Sequence, residues 1–575
     1  MENRIAPPAT VPRPPEAGAG IAPPLRIGAI PWLVVGVLAF GATAVNWGAS
    51  TNWDWRNYHL YDAWAFLNDR LDTDLAPAQL QTWFNPLLQV PFFLSATHWP
   101  LPLHLFVLGL FQGLNGVLLY LLGSRLLPPA LQGSGPGMAL AAAFAGMTSA
   151  TVLSQLGTTI GDNLASLAAL AALQVALVPA GPSSRSAAVA GLLLGAGTAL
   201  KMTLAPVAIG AAMAIALAAP RAARLRVGAW LGLGGALGFA LFAGWWMWML
   251  WQRFGNPLYP LFGGLFQGPL DPPFAVRDVR FVPDPPWRAW RWPFAPAYDW
   301  KIVSDIRFRD LRIPALALGA MLLPWWRRAR TLHDPTRELG TALMAGMGIA
   351  YAAWLLLFGY HRYLAVVEML APLALLLLLG RALPEAPRLR PIAAAILAVL
   401  VLATNPPNWG NATRAMSVLD LSLPAAIPVH GALVLLAGEA PTSFLVPAWP
   451  DTARFVRVQS NFHGETWPPY GFDRRVAAAI DGHAGPIVVV FASDAAPHAD
   501  AGLARMGLAR EATRCGKIET LLWPANQPPL LLCAVQRSEP ASVALERVFA
   551  RRRAYCARNE LPDALWRSVC AAVGD

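Results

Sequence analysis

The stretch Gly191–Leu250, GLLLGAGTALKMTLAPVAIGAAMAIALAAPRAARLRVGAWLGLGGALGFALFAGWWMWML, decides the fold. Its charged residues are Lys201, Arg221, Arg224 and Arg226, all basic and all lying between apolar runs. The runs at 186–200, 203–219 and 228–251 are nearly continuous in apolar character. That pattern belongs to helices solvated by lipid rather than to helices with one face in water.

The same reading extends outward. Further apolar runs bounded by charge, Pro or Gly fall at 27–46, 101–124, 138–155, 163–180, 313–326, 339–358, 363–380 and 391–404. Together they predict about eleven transmembrane helices in a polytopic α-helical membrane protein. Composition agrees: the 575 residues are 56% hydrophobic and 13% charged, with mean hydropathy +0.44. That much apolar surface exceeds what ordinary water-soluble cores hold. The net charge of +11 does not imply nucleic acid, because the basic residues sit mostly at the ends of apolar runs, where they orient spans.

With the N-terminus inside, the predicted inner loops hold Arg125; Arg185; Arg221, Arg224 and Arg226; Arg327, Arg328, Arg330 and Arg337; and Arg381, Arg388 and Arg390. Every inner loop is basic, as cytoplasmic loops are. The outer pieces are then 47–100, the turns near Asp162 and Lys201, 252–312, the turn at His361 and Arg362, and all residues after 404. The apolar segment Pro86–Thr97 would invert this order if counted as a span, so it is assigned to the membrane interface. The Pro- and Ala-rich segment 1–26 is expected to be a disordered cytoplasmic tail. The run after it could be a signal peptide cleaved near GATA, but its length favours an uncleaved anchor.

After Thr404 the pattern changes. The runs GALVLLAG, SFLVPAW, FVRVQSN and PIVVVFAS read as buried strands, and 472–480, 498–509 and 540–570 as helices. A C-terminal periplasmic α/β domain over 405–575 is expected, about 170 residues and within the usual domain range. All four cysteines, Cys515, Cys533, Cys556 and Cys570, fall in it, which fits disulfides in an oxidising compartment. Four unpaired thiols are the alternative, and spacing does not give a connectivity.

Chemistry concentrates at the outer ends of the spans. The first outer loop reads TNWDWRNYHLYDAWAFLNDRLDTDLAPAQLQTWFNPLLQVPFF, with Asp54, Tyr58, Tyr61 and Asp62 at helical spacing. It predicts a helix along the outer membrane surface, with Trp53, Trp55 and Trp64 among headgroups and the acids toward a cleft; solvated carboxylates are the plainer reading. Between Leu101 and Pro220 the full charges are Arg125, Asp162, Arg185 and Lys201. The arginines follow the inside rule. Asp162 and Lys201 do not, so they are either functional or paired with each other. A third cluster is His361, Arg362 and Glu368, in which Arg362 could clamp a phosphate and Glu368 neutralise it. Arg253, beside FGNPLYP, is a weaker candidate. No Walker A loop, Rossmann glycine fingerprint, HExxH or paired CxxC is present, and the NAT triplet at 411–413 carries no weight.

Asp54 followed by Tyr58-His59-Leu60-Tyr61, then Gln81 and Asn85-Pro86, resembles the first-loop signature of the GT-C class of membrane glycosyltransferases. That class includes protein O-mannosyltransferases and lipid A aminoarabinose transferases, and the likeness is nearest to its poorly characterised bacterial members. GTTIGDN around Asp162, GLLLGAGTALKMT around Lys201, FGNPLYP at 254–260 and HRYLAVVE at 361–368 are similar to that group too. The likeness spans roughly 27–404 and implies a GT-C-like transmembrane domain there. The chain departs from the better-known members in having Asp54 alone, flanked by Trp53 and Trp55, in place of an adjacent acidic pair.

The resemblance implies transfer of a hexosyl or pentosyl group from a polyprenyl-phosphate donor to a glycan, lipid or protein acceptor outside a bacterial inner membrane. Such a step needs a base for the acceptor hydroxyl, for which Asp54 is the choice, with His59 orienting it or binding acceptor. It also needs cations at the leaving phosphate, where Lys201 and Arg362 are expected, with Tyr58, Asp162, Arg253 and His361 as further substrate-binding residues. No cofactor is required by the sequence, although Asp54 and Asp162 could share a divalent metal. A lipid-linked glycan polymerase or ligase would use outer-loop arginines such as Arg277, Arg280, Arg288 and Arg291. A lipid or glycan transporter would need polar residues near the midplane, where this chain has few.

Overall fold

The computed structural model describes residues 26–132, 135–274, 276, 278–322, 335–383, 388–412, 419–450, 452–465, 467–557 and 570. The N-terminal tail before Arg26, the end of the run at 313–326, Arg327, Arg328, Arg330, Arg277 and Thr413 of the NAT triplet lie outside these.

Among the described residues, five helices are long and apolar enough to cross a membrane: Ile27–Trp47, Leu101–Leu126, Arg221–Phe254, Arg337–Leu357 and His361–Ala382. The protein is a multi-pass membrane protein. Shorter apolar helices cover Gly137–Met147, Asp162–Ala176, Ser184–Leu200, Met202–Ala218, Arg312–Met321 and Leu389–Leu402. Each apolar run of the sequence therefore contains a helix, but six of them fall short of a full crossing. Pro86–Thr97 folds largely as the ten-residue helix Gln89–His98, shorter than a span, with Ser95 Oγ 2.8 Å from His104 Nδ1.

Small residues set how closely these helices pack. A Cβ on Gly195 would lie 2.0 Å from the Gly235 carbonyl oxygen, and one on Gly238 would lie 2.2 Å from that of Leu192. Ser184–Leu200 and Arg224–Phe239 thus touch backbone to backbone through Gly191/Gly195 and Gly234/Gly238, the spacing that lets helices associate in lipid.

The C-terminal region contains a five-stranded mixed sheet: β3 (Leu433–Leu436), β4 (Arg454–Arg457), β5 (Ile487–Ala492), β6 (Leu508–Lys517) and β7 (Leu530–Arg537), in the order β4-β3-β5-β7-β6. β3 runs parallel to β4 and β5, while β7 is antiparallel to β5 and β6. The expected strand SFLVPAW is instead a 3-10 turn at Ser443–Ala448, where Pro447 removes a ladder donor. Strands β6 and β7 were not expected. Cys515 lies opposite Cys533 across them and the two are bonded, as are Cys556 and Cys570.

The first loop is covered by the C-terminal sheet rather than laid out along an outer surface as expected. Residues on β3 and β5 alternate between two cores with the period of a strand. Leu433, Leu435 and Val489 face one core that holds Leu75, Ala76 and Trp83 of the first loop. Val434, Leu436 and Val488 face the other, with Trp55, Tyr58, Leu60 and Tyr61. Trp55 is buried, not among headgroups. The sheet and the first loop therefore complete one another's cores. Buried Arg457 donates to the Pro77 carbonyl at 2.7 and 2.9 Å, Arg56 stacks on Trp523 at 4.8 Å, and Ser443 bonds to the Asn57 carbonyl. A short ribbon, β1 (Ala49–Ser50) against β2 (Asn411–Ala412), joins the two ends of the transmembrane region.

Candidate active site

Four chain segments, each expected at the outer end of a span, converge where the bundle meets the first loop. Asp54 starts a wide turn of helix over Trp55–His59 that leads into Leu60–Leu67. The first five residues of GTTIGDN form a buried, non-helical link ending at Gly161, whose φ of +91° a side chain would strain, and Asp162 opens the next helix. Gln112 holds that link: its Oε1 accepts from Gly157 N at 2.8 Å and its Nε2 donates to the Gln155 and Thr158 carbonyls. Lys201 is an extended residue between Ser184–Leu200 and the turn at Met202–Leu204. Arg362 lies in the 3-10 turn His361–Leu364 that opens the Ala365–Ala382 helix.

Arg362 is the centre. Its Nη1 is 2.9 Å from Asp54 Oδ2 and its Nε is 3.7 Å from Asp162 Oδ2. The guanidinium carbon lies 5.3–5.4 Å from the ring centres of Tyr360, Tyr363 and Trp409, within cation–π range. Lys201 does not pair directly with Asp162. Its Nζ donates to the Ile160 carbonyl at 2.7 Å, while Asp162 Oδ1 accepts from Thr203 Oγ1 at 3.1 Å. His59 Nδ1 is 2.9 Å from Thr159 Oγ1, and Tyr58 meets the His59 ring edge-on at 4.2 Å.

Charge states follow from these contacts. Burial pushes the Asp54 carboxyl up, but the Arg362 guanidinium and the Lys201 ammonium outweigh it and hold the group below the usual carboxylate range. Asp54 is therefore ionised at neutral pH. Burial pushes His59 down to about 3, so its ring is neutral there. Burial pushes the Asp62 carboxyl well above the usual carboxylate range.

The cluster is not closed on itself. Asp54 Oδ2, Asp162 Oδ2, His59 Nε2, Arg362 Nε and Trp409 Nε1 are buried polar atoms outside hydrogen-bond geometry with any partner among the described residues. The Asp54–Arg362 and Arg362–Asp162 contacts are thus ion pairs by distance, not aligned bonds. A shallow cleft beside them is lined by Thr151, Ser154, Ser304, Phe308, His361, Arg362, Pro407 and Trp409.

Six of the expected site residues meet here: Asp54, Tyr58, His59, Asp162, Lys201 and Arg362. His361 borders the cleft, but its Nε2 is bound at 2.5 Å to Glu368, so Glu368 serves His361 and not Arg362 as expected. Arg253 is elsewhere, paired with Asp72 at 2.6 Å and in contact with Met249. A divalent ion fits poorly between Asp54 and Asp162, because the Arg362 guanidinium lies between the two carboxylates. Among the described residues no group of three or more His, Cys, Asp or Glu gathers to hold a metal.

Sequence reasoning missed Thr159, Thr203, Tyr363, Trp409, and the buried pair Asp310 and Arg312. The last had a signal: Asp310 and Arg312 open an apolar run, as Asp162 and Lys201 flank theirs.

No family model matches the chain, and no curated protein matches it. It is similar to a solved structure described as the single-particle cryo-EM structure of the arabinofuranosyltransferase AftD from Mycobacteria, with TM-score 0.48 and 14% identity. The match covers 89% of this chain and 40% of that one, so the chain spans less than half the length of that protein. A likeness of this degree bears on neither site nor mechanism.

Proposed function

We propose that the chain is an integral glycosyltransferase, GT-C-like over 27–404, that moves a sugar from a polyprenyl-phosphate donor to a glycan, lipid or protein acceptor. The reading places it in a bacterial inner membrane with its N-terminus cytoplasmic. The first loop 47–100, the loop 252–312 and the α/β domain 405–575 are then periplasmic. The first loop and the C-terminal sheet share their cores, which supports one side for both.

The observation that carries the reading is an ionised carboxylate, Asp54, set against a guanidinium that keeps an unpartnered N–H beside an open cleft. In the proposed step an acceptor oxygen attacks the anomeric carbon and gives its proton to Asp54, while the bond from that carbon to the phosphate oxygen breaks. The electron pair leaves with the polyprenyl phosphate. Arg362 and Lys201, whose ammonium has N–H groups beyond the one given to Ile160, stabilise the charge that grows there. Neutral His59, with Nε2 unpartnered, is placed to orient the acceptor or Asp54.

The test is transfer of labelled sugar in membranes charged with polyprenyl-phosphate donors. Asp54→Asn at matched expression is expected to lower the rate about 10²- to 10⁴-fold. Unchanged transfer removes Asp54 from the chemistry.

A further inference from the structure

Pro407, Asn408 and Trp409 belong to the connector that follows the last apolar helix, in a stretch, 403–413, with no charged residue. The structure pins it at both ends. Asn405 exchanges two backbone hydrogen bonds of 2.9 Å with Arg309, and Gly410 accepts from Thr51 N at 2.8 Å where β1 meets β2. Gly410 has φ +94° and a Cβ there would lie 3.0 Å from Thr51 Oγ1, so the ribbon fits closely at this point. Asp54 follows β1 and Trp409 precedes β2, so one two-stranded ribbon sets both residues around Arg362.

Trp409 presents its ring to the guanidinium at 5.4 Å, yet its Nε1 is buried without an acceptor, as is Arg362 Nε, and both residues border the same cleft. Buried donors are nearly always satisfied in folded proteins. Two orphaned donors beside one cleft therefore point to an acceptor that arrives with a ligand. Indole N–H can only donate, and the neighbouring guanidinium favours an anionic oxygen over a neutral one.

Resting on the glycosyltransferase reading, we propose that Trp409 is a substrate-positioning residue whose indole N–H, with Arg362, binds a phosphate oxygen of the lipid-linked donor. The connector then does more than join two domains: it carries one ligand of the donor headgroup and sets that ligand in register with Asp54.

The test uses the full chain in nanodiscs and three probes: a polyprenyl monophosphate, the matching neutral polyprenol, and inorganic phosphate. Trp409→Phe keeps an aromatic face for Arg362 and removes the N–H. It is expected to weaken polyprenyl-phosphate binding about ten- to hundredfold, the range for a hydrogen bond to a charged group, and to leave polyprenol binding unchanged. Trp409→His, which restores a ring N–H, is expected to recover part of the loss and keeps the test open if the Phe variant folds poorly. Wild-type affinity in Trp409→Phe, together with loss of binding in Arg362→Met, overturns the role of Trp409 and leaves the donor reading standing. If the wild type binds polyprenyl phosphate no better than polyprenol, both fall. If inorganic phosphate binds as tightly as the lipid and with the same dependence on Trp409, the site takes a free anion and the assignment to a lipid headgroup is overturned.

Discussion

Two buried charge clusters meet at neighbouring residues, His361 and Arg362, and differ in how completely they are bonded. On the His361 side, Glu368 accepts from His361 and from Thr151 N, and Asp310 accepts from Ala150 N and from Arg312. Arg312, fully buried, also donates to the Ala145 carbonyl, Thr404 and Thr148. None of these four ionisable residues has an orphaned side-chain atom among the described residues. On the Arg362 side, five buried polar atoms lack hydrogen-bond geometry. The first cluster ties the Gly137–Met147 and Ala150–Ser154 helices to Ala365–Ala382 and to the start of Arg312–Met321. The second is built as if part of it were to come from a ligand. Buried charge alone does not mark a functional site; unfinished bonding beside a cleft is what singles out the Arg362 cluster as the candidate.

Breaking the finished cluster should cost stability most. Arg312→Met leaves Asp310 buried without its cation and is expected to destabilise by about 3–5 kcal/mol, read as lost expression or a lower detergent melting temperature. A melting temperature within a degree or two of wild type would remove the structural role assigned to this cluster. Glu368→Gln keeps the shape but weakens the bond to His361, with an expected cost of about 1–3 kcal/mol and a rise in thermal unfolding at constant pH.

How far the molecule was legible in its sequence follows from the range of the interactions. The helices were legible because each apolar run is a local property, and the convergence of Asp54, Asp162, Lys201 and Arg362 followed from charge placed at run ends. The partner of His361 was also within reach, since Glu368 lies seven residues on, two turns along the same helix. The burial of the first loop was not legible. It depends on a sheet about 380 positions away, as in the bond from Arg457 to Pro77, and no local pattern records that. Strand β6 was hidden because LAREATRCGK carries charge on an outer strand, whereas β7, LLLCAVQR, had an apolar signal that went unread. Trp409 left no signal, because an uncharged aromatic in a Pro- and Asn-rich connector has neither charge nor periodicity to mark it.

The pH dependence sharpens the contrast. His59 has an ordinary value near 6.5 in the unfolded chain and about 3 when folded, so its contribution is complete above 6.5 and is lost as pH falls toward 3. Between pH 7.5 and 5 the wild-type melting temperature is expected to fall, and His59→Gln should flatten that slope. An identical slope in the variant would show that His59 is not the group that titrates. Asp54, held below the usual carboxylate range, loses its pairing only as pH falls through that lowered value. It should therefore give no transition between pH 5 and 8.

The smallest effect is expected at Asn85, whose side chain donates to the Phe242 carbonyl at 2.8 Å and caps Leu87 N, tying the first loop to the Arg224–Phe254 helical segment. Asn85→Ala should cost about 0.5–2 kcal/mol of stability, the range for a helix cap, with transfer by the folded fraction unchanged. A loss of transfer per folded molecule would move Asn85 from scaffold to site.

The most direct measurement pairs Asp54→Asn with Glu368→Gln and follows sugar transfer and melting temperature in the same preparations. The account predicts that Asp54→Asn loses transfer far beyond any loss of folded protein, and that Glu368→Gln melts lower while its folded fraction still transfers. Transfer retained by folded Asp54→Asn, or transfer lost by folded Glu368→Gln, would contradict it.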